Sequence, residues 1–198
     1  MQIQKDDVRC RIVAAATEEF YNKGYRGASL REIAAAADIT PGNIYRYFTN
    51  KSALYKDVTK PAWDGITALF DKAENTAGNN PDRTTPELAK DIVKVFIDNQ
   101  KQFIILINDS SFGHQDAKSA IVNLVELRVY DMLCRSFPPN KIDRVLLNIL
   151  AVAVTEAMIC VFLNFNGDEE LLYRRTFKVT NHIFGNIKDT LMEDEPKC

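Results

Sequence analysis

The chain has 198 residues, 46% of them hydrophobic, and a formal charge of −2, a balance that excludes a disordered or low-complexity polypeptide. The charge is uneven: residues 1–60 carry ten basic and seven acidic side chains, giving +3, and the remainder carries fifteen and twenty, giving −5. A segment of +3 is a weak footprint for a polyanion, so firm phosphate binding needs two such segments in one assembly.

In chain order, residues 1–5 read as a loose arm, and Asp6 or Asp7 caps a first helix that runs to about Lys23. Val13, Ala16 and Phe20 form its inner face, and Gly24 is a left-handed stop. Ser29 and Glu32 have the spacing of a capping box, in which hydroxyl and carboxylate each satisfy a free backbone N–H. Leu30, Ile33, Ala34 and Ala37 then give a second short helix one apolar face. Asp38 falls where the turn needs positive φ, which Asp tolerates. Thr40 caps the next helix and Pro41 suits its first turn. That helix, Pro41 to Phe48, is about two turns long. Ile44 and Phe48 face inward, and Gly42, Asn43, Tyr45, Arg46 and Tyr47 occupy the rest of its surface. Such a helix, braced by the one before it, fits a DNA major groove as in a helix-turn-helix. Asn50 caps a fourth helix, yet Lys51 puts a cation in its first turn, where the helix dipole disfavours it. A DNA phosphate beside that helix end would reverse the sign.

The fourth helix runs from Lys51 to about Thr76, with a kink or break expected at Pro61. Gly78 to Thr85 is a linker. Thr85-Pro86 opens a helix reaching about Ile107, and Asn108 to Gly113 interrupts the pattern. Another helix runs from about Gln115 to Ser136, stopped by Pro138-Pro139. The next extends from about Asn140 to Asn164, and Asn166-Gly167 separates it from a last helix, about Asp168 to Met192. No strand-period segment survives, so the fold class is all-α. A helix-turn-helix DNA-binding domain at 1–50 precedes a helical body at 51–198.

The helix ending at Asn164 is apolar on more than one side: Val145, Ile149, Val152 and Ile159 mark one face, and Leu150, Val154, Ala157 and Val161 another. A helix apolar nearly all round must be covered nearly all round. Asn148, Glu156 and Asn164 make lipid a poor cover, since a central carboxylate is expensive there. A second copy of the chain is the expected cover. Leu150, Val154, Ala157 and Val161, with Phe177, Phe184, Ile187 and Leu191 of the last helix, form the expected two-fold interface. The polar, charged N-terminus is no signal peptide, and a cytoplasmic protein is expected. Cys10, Cys134, Cys160 and Cys198 lack C-x-x-C spacing and read as reduced thiols, three as packing groups and Cys198 in the tail.

The first quarter of the chain resembles the DNA-binding segment of the TetR (tetracycline-repressor-like) family of bacterial transcription regulators. The residues that carry the likeness are Ile12-Val13, Ala15-Ala16, Phe20, Gly24-Tyr25, Ser29, Ile33-Ala34, Ala37-Asp38-Ile39-Thr40, Ile44-Tyr45, Tyr47-Phe48, Lys51 and Leu54. Asp38 stands where the family usually has Gly, Tyr47 where His is common, and Ser52 where an acidic residue is common. The resemblance implies phosphate contacts from Ser29, Thr40, Tyr45, Tyr47 and Lys51. Arg31, Gly42 and Asn43 are the base-edge candidates, with Arg46 open to either role. It also implies a homodimer on a palindromic operator and a ligand cavity among the middle helices. Trp63, Phe70 and Tyr130 are candidate walls; Phe96, Asn99 and Phe103 share one helical stripe; Glu156 falls among apolar neighbours. For Asn99 and Glu156 a satisfied hydrogen bond or simple exposure stands beside the pocket reading.

A DNA-binding regulator, in the form of a repressor released by a small molecule, is therefore expected. The alternative is a helix-turn-helix protein whose body binds another protein and no small ligand. With no nucleophile–base pairing, phosphate loop or metal-spaced His/Cys/Asp cluster, no catalytic residue, metal or cofactor is expected.

Overall fold

The structure is a computed structural model and describes residues 2–77, 85–108, 117–135 and 137–184. Among these residues every regular element is a helix: α1 (Gln2–Gly27), α2 (Leu30–Ala36), α3 (Pro41–Ile44), α4 (Lys51–Ala77), α5 (Thr85–Asp98), α6 (Gln100–Asn108), α7 (Ala117–Cys134), α8 (Arg144–Leu163) and α9 (Glu169–Phe184), with a 3-10 turn at Pro139–Lys141. The all-α expectation is met. The linker expected at Gly78–Thr85, save Thr85, and the interruption expected at Asn108–Gly113, save Asn108, lie outside the described residues, as do Ile187, Leu191 and Cys198.

Two compact units divide the chain: Met1–Ile66 with Phe96–Asp116, and Thr67–Val95 with Ala117–Cys198. The first unit is built on the three-helix head. Ile12, Ala16, Phe20, Ile33, Ala34, Ile44, Phe48, Leu54, Tyr55 and Val58 are buried together, and Ile105 of α6 joins them. These residues are the apolar positions of the helical periodicity, so the pattern that selects helices also selects which faces meet. A head of one long helix and two short ones buries too little apolar surface to stand firmly alone. Here α1 also packs on α6, and Lys101 of α6 pairs with Glu18 of α1 at 2.5 Å.

Several boundaries depart from expectation. Residues 2–5 are helical, not a loose arm. Gly24 does interrupt α1, at φ 66 and ψ 172, but one more helical stretch follows to Gly27. Helix α4 runs unbroken through Pro61. Pro61 is exposed, so water can take the carbonyl that loses its helical donor. The expected single helix from Pro86 to Ile107 is two, because the chain turns at Asn99. There the Asn99 N–H donates to the Phe96 carbonyl at 3.1 Å and the Asn99 carbonyl accepts from Phe103 at 2.9 Å, opening α6. Asn competes with helix backbone for hydrogen bonds and marks such breaks.

In the second unit α8 packs on both α7 and α9. Asp143 caps α8 by accepting from the Leu146 N–H at 2.9 Å, and Asp168 caps α9 by accepting from the Leu171 N–H at 2.9 Å. Gly167 has a φ of 95, which fits the stop expected at Asn166-Gly167.

Candidate nucleic-acid interface

The site is a turn between two helices and what holds it. Ser29 caps α2 by accepting from the Arg31 N–H at 3.2 Å. The reciprocal half of the capping box is not made by Glu32. Glu19 of α1 accepts the Ser29 N–H at 3.1 Å, and Glu32 turns outward to Lys23 at 2.5 Å. A contact from α1 thus replaces a local one and ties the start of α2 to the first helix. Hydrogen bonding from Lys23 lowers the Glu32 carboxyl below its ordinary range, and the same bond raises the Lys23 ammonium.

Asp38 has a φ of 55, the left-handed conformation expected of it. It turns the chain into α3, which is shorter than predicted: four helical residues, Pro41–Ile44, and then a turn. The Phe48 N–H still reaches the Ile44 carbonyl at 2.9 Å, so the coil continues loosely. Thr40 precedes α3 in extended geometry but makes no side-chain cap bond, which leaves its exposed hydroxyl available. Four residues of helix cannot hold themselves. The turn is held by Ile44 and Phe48, 0% and 5% exposed, with Arg9 of α1 lying over the Phe48 ring at 5.5 Å.

On the other side, Arg31, Thr40, Pro41, Gly42, Tyr45 and Arg46 are exposed, and Ser29, Asn43, Tyr47 and Lys51 are half-buried. Tyr45 is 58% exposed, so its ring points outward and is not part of the head core. Tyr47 packs against that core. A Cβ added at Gly42 would meet nothing within 4 Å. Nothing among the described residues therefore requires glycine there, whereas close approach of a nucleic-acid backbone would.

Lys51 resolves its own misfit. Its Nζ donates to the Ala28 carbonyl at 2.9 Å and lies 4.6 Å from the Tyr25 ring centroid. The end of α1 is the negative pole of a helix dipole, so the ammonium disfavoured at the start of α4 is welcomed there. An ammonium has three donors, and Ala28 takes one. The role of Tyr25 was concealed by its position in a run with no helical period; the out-of-place Lys51 was the available clue.

The expected ligand residues are dispersed. Trp63, Phe96, Asn99 and Phe103 belong to the first unit, and Phe70, Tyr130 and Glu156 to the second. Phe96 and Phe103 are buried, with rings edge-on at 5.6 Å. Tyr130 lies under the Arg144 guanidinium at 3.9 Å. Glu156 is corrected: it is exposed and pairs with Lys118 of α7, so it is no buried polar anchor. An open groove of about 490 Å³ runs over Ala14, Ala15, Ile33, Ala36 and Ala37 in the head. A smaller hollow of about 100 Å³ is lined by Phe20, Tyr21, Gly24, Ile104, Ile105 and Asn108. Neither contains any of those seven residues.

Of the expected interface residues, Val154 is buried within its own unit, and Leu150, Ala157, Val161 and Phe177 are half-buried. The exposed apolar residues of α8 are instead Val145, Ile149, Val152 and Leu163, at 72%, 55%, 40% and 50%. The side chain of Phe184 is outside what the structure describes. Cys10 and Cys160 are exposed and Cys134 is half-buried, so two thiols expected to pack do not.

A capped helix, a left-handed turn and a second element with aromatic, amide and cationic groups outward define a helix-turn-helix DNA-binding protein. Residues 12–58 match the family model described as bacterial regulatory proteins, tetR family. The chain is 24% identical over 162 residues to the HTH-type transcriptional activator FasR of Mycolicibacterium smegmatis, covering 79% of this chain and 73% of FasR. It is 36% identical over 70 residues to the HTH-type transcriptional regulator UidR of Escherichia coli, covering 35% of this chain and 36% of UidR. Among solved structures, a transcriptional regulator from Aquifex aeolicus VF5 aligns with a TM-score of 0.65 at 21% identity, over 89% of this chain and 99% of that one. SmeT, the repressor of the Stenotrophomonas maltophilia multidrug efflux pump SmeDEF, aligns with a TM-score of 0.62 at 19% identity, over 97% and 95%. Over residues 12–58 the chain carries the DNA-binding segment of the tetR family of bacterial regulatory proteins, and along most of its length it shares the helical fold of these regulators.

Proposed function

We propose that the protein is a homodimeric repressor that binds a palindromic operator and is released from it by a small-molecule effector. One observation supports the DNA geometry above all: Arg31, Gly42, Tyr45 and Arg46 are exposed together beside a turn whose inward residues, Ile44 and Phe48, are buried. In this reading Arg31 donates to a guanine edge and Asn43 pairs with adenine. Ser29, Thr40, Tyr45, Tyr47 and Lys51 hold phosphates, Pro41 and Gly42 let the backbone approach, and Arg46 serves either contact.

Support for the dimer comes from α8. Its length and composition would suit a membrane span, yet only 28% of its apolar window is buried within the chain. Val145, Ile149, Val152, Ile159 and Leu163 follow steps of four and three, with Glu156 completing the series at the position paired to Lys118. That seven-residue period suits a packed helix partner, and a charged pair in mid-stripe suits protein better than lipid. A second copy covering this stripe brings two heads to one duplex.

The effector reading rests on the family likeness. SmeT is described as a repressor and FasR as an activator; occupation of a promoter by two heads favours exclusion of other proteins from that stretch of DNA. The experiment is a monomerising variant, Ile149→Glu with Val152→Lys, compared with the wild type on a duplex selected from a random pool. Loss of the dimer with loss of about a hundredfold or more in DNA affinity supports the reading. A dimer that persists, or undiminished affinity in a monomer, defeats it. For the effector, a panel of small aromatic and amphipathic molecules is titrated against the complex, and unchanged DNA affinity at saturation defeats that part.

A further inference from the structure

We propose that Tyr55 is a positioning residue for DNA binding: through Tyr25 it sets where the Lys51 ammonium stands, and it ties that position to the end of α6. The inference deepens the phosphate role given to Lys51 above and rests on it. Tyr55 is 5% exposed, and its ring meets Tyr25 at 5.2 Å and 79° and Phe20 at 5.4 Å and 75°. Phe20 and Tyr25 close the triangle at 6.0 Å. Three rings in mutual contact do not move singly, because any shift opens a void or a clash in close-packed surroundings. The face of Tyr25 carries the Lys51 ammonium.

The hydroxyl adds what packing does not require. Phenylalanine would fill the same volume, yet Tyr55 donates to the Ile105 carbonyl in the last turn of α6 at 3.3 Å. A carbonyl has two lone pairs, so it accepts this donor beside any helical one. A buried hydroxyl gains little net stability from such a bond, so its consequence is geometric. Helix α6 has a second fastening to α1, the Lys101–Glu18 pair, with the same ammonium 5.6 Å from the Tyr21 ring. That one sits on the surface, between exposed side chains. The buried one runs from α6 through Tyr55 and Tyr25 to the half-buried Lys51 ammonium, which spends one of its three donors on Ala28, so displacement of the α6 end alters the phosphate contact.

The test uses the full chain, a duplex selected by the wild type from a random pool, and the variants Tyr55→Phe, Lys51→Met and their combination. Tyr55→Phe keeps the ring and the packing. Affinity is expected to fall about three- to tenfold, the scale of one hydrogen bond. The salt slope should fall toward that of Lys51→Met, about one below the wild type. The double variant should bind no more weakly than Lys51→Met alone. In the free protein, the Lys51 ε-methylene resonances, shifted by the Tyr25 ring current, should move in Tyr55→Phe and stay in place in Lys101→Ala. Additive losses in the cycle, or unmoved Lys51 resonances, would overturn the proposal. If the wild type shows no salt-dependent binding to any duplex, the DNA reading itself fails and this role falls with it, whatever the resonances show.

Discussion

Replacing Ile44 by alanine separates the head's core from its DNA-facing surface. Ile44 is 0% exposed, so the substitution deletes three buried carbons, about 2.4 kcal/mol at roughly 0.8 kcal/mol each. The space left behind raises the cost to about 3–4 kcal/mol, within the range of about 2–5 for such truncations. The single tryptophan, Trp63, belongs to the same unit, and its fluorescence follows urea unfolding at fixed protein concentration. For a denaturant slope of about 2–3 kcal/mol per molar, the midpoint should drop by about 1–2 M. DNA affinity should fall as well, since Ile44 is the buried residue of α3 and with Phe48 holds the turn to the head core. Arg46→Ala is the contrasting change: exposed, it should leave the stability within about 0.5 kcal/mol of the wild type while weakening DNA binding. A midpoint shift below about 0.3 M in Ile44→Ala, or DNA binding retained at full strength, would refute the claim that core packing orients the turn.

Asp38→Gly should stabilise the head by up to about 1 kcal/mol, read by the same unfolding curve, because Asp38 holds a φ of 55 that glycine adopts without penalty; destabilisation would contradict this. Glu32→Gln should lose its disadvantage in acid. The Lys23 bond depresses the Glu32 carboxyl in the folded chain, so its contribution is present above the ordinary carboxylate value and lost as pH falls through the lowered one. Wild type and variant should therefore differ near neutrality and converge in acid, and a gap that widens on acidification would reverse the sign. Arg31→Ala should relax preference at one base position by about 1–3 kcal/mol in a binding-site selection; uniform weakening at every position would make Arg31 a phosphate contact instead.

Local chemistry was legible where one residue decides one thing. Gly24, Asp38, Asn50 and Gly167 each sit where a cap or a left-handed turn is expected, and Ile44 and Phe48 face inward as their spacing requires. What sequence spacing could not show was competition between elements. Glu32 satisfies the capping-box spacing, but Glu19 arrives from another helix and takes the bond. Asn99 reads as one member of an apolar stripe until the backbone turns there. Glu156 has apolar sequence neighbours, but only packing reveals that its own side chain projects to Lys118 at the surface. For α8 the period offered two faces, and burial decides between them: Val154 goes inward, while Val145 and Ile149 remain outside. Lys51 is a first-turn cation that the helix dipole disfavours, and the end of α1 and the Tyr25 ring receive its ammonium.

Binding-site selection with footprinting, followed by native mass spectrometry of the complex, tests the paired-head account most directly. Two inverted half-sites about 34–36 Å apart, or a multiple of a helical turn, with two chains on each duplex are predicted. A selected sequence without inverted repetition, carrying a single chain, would contradict it.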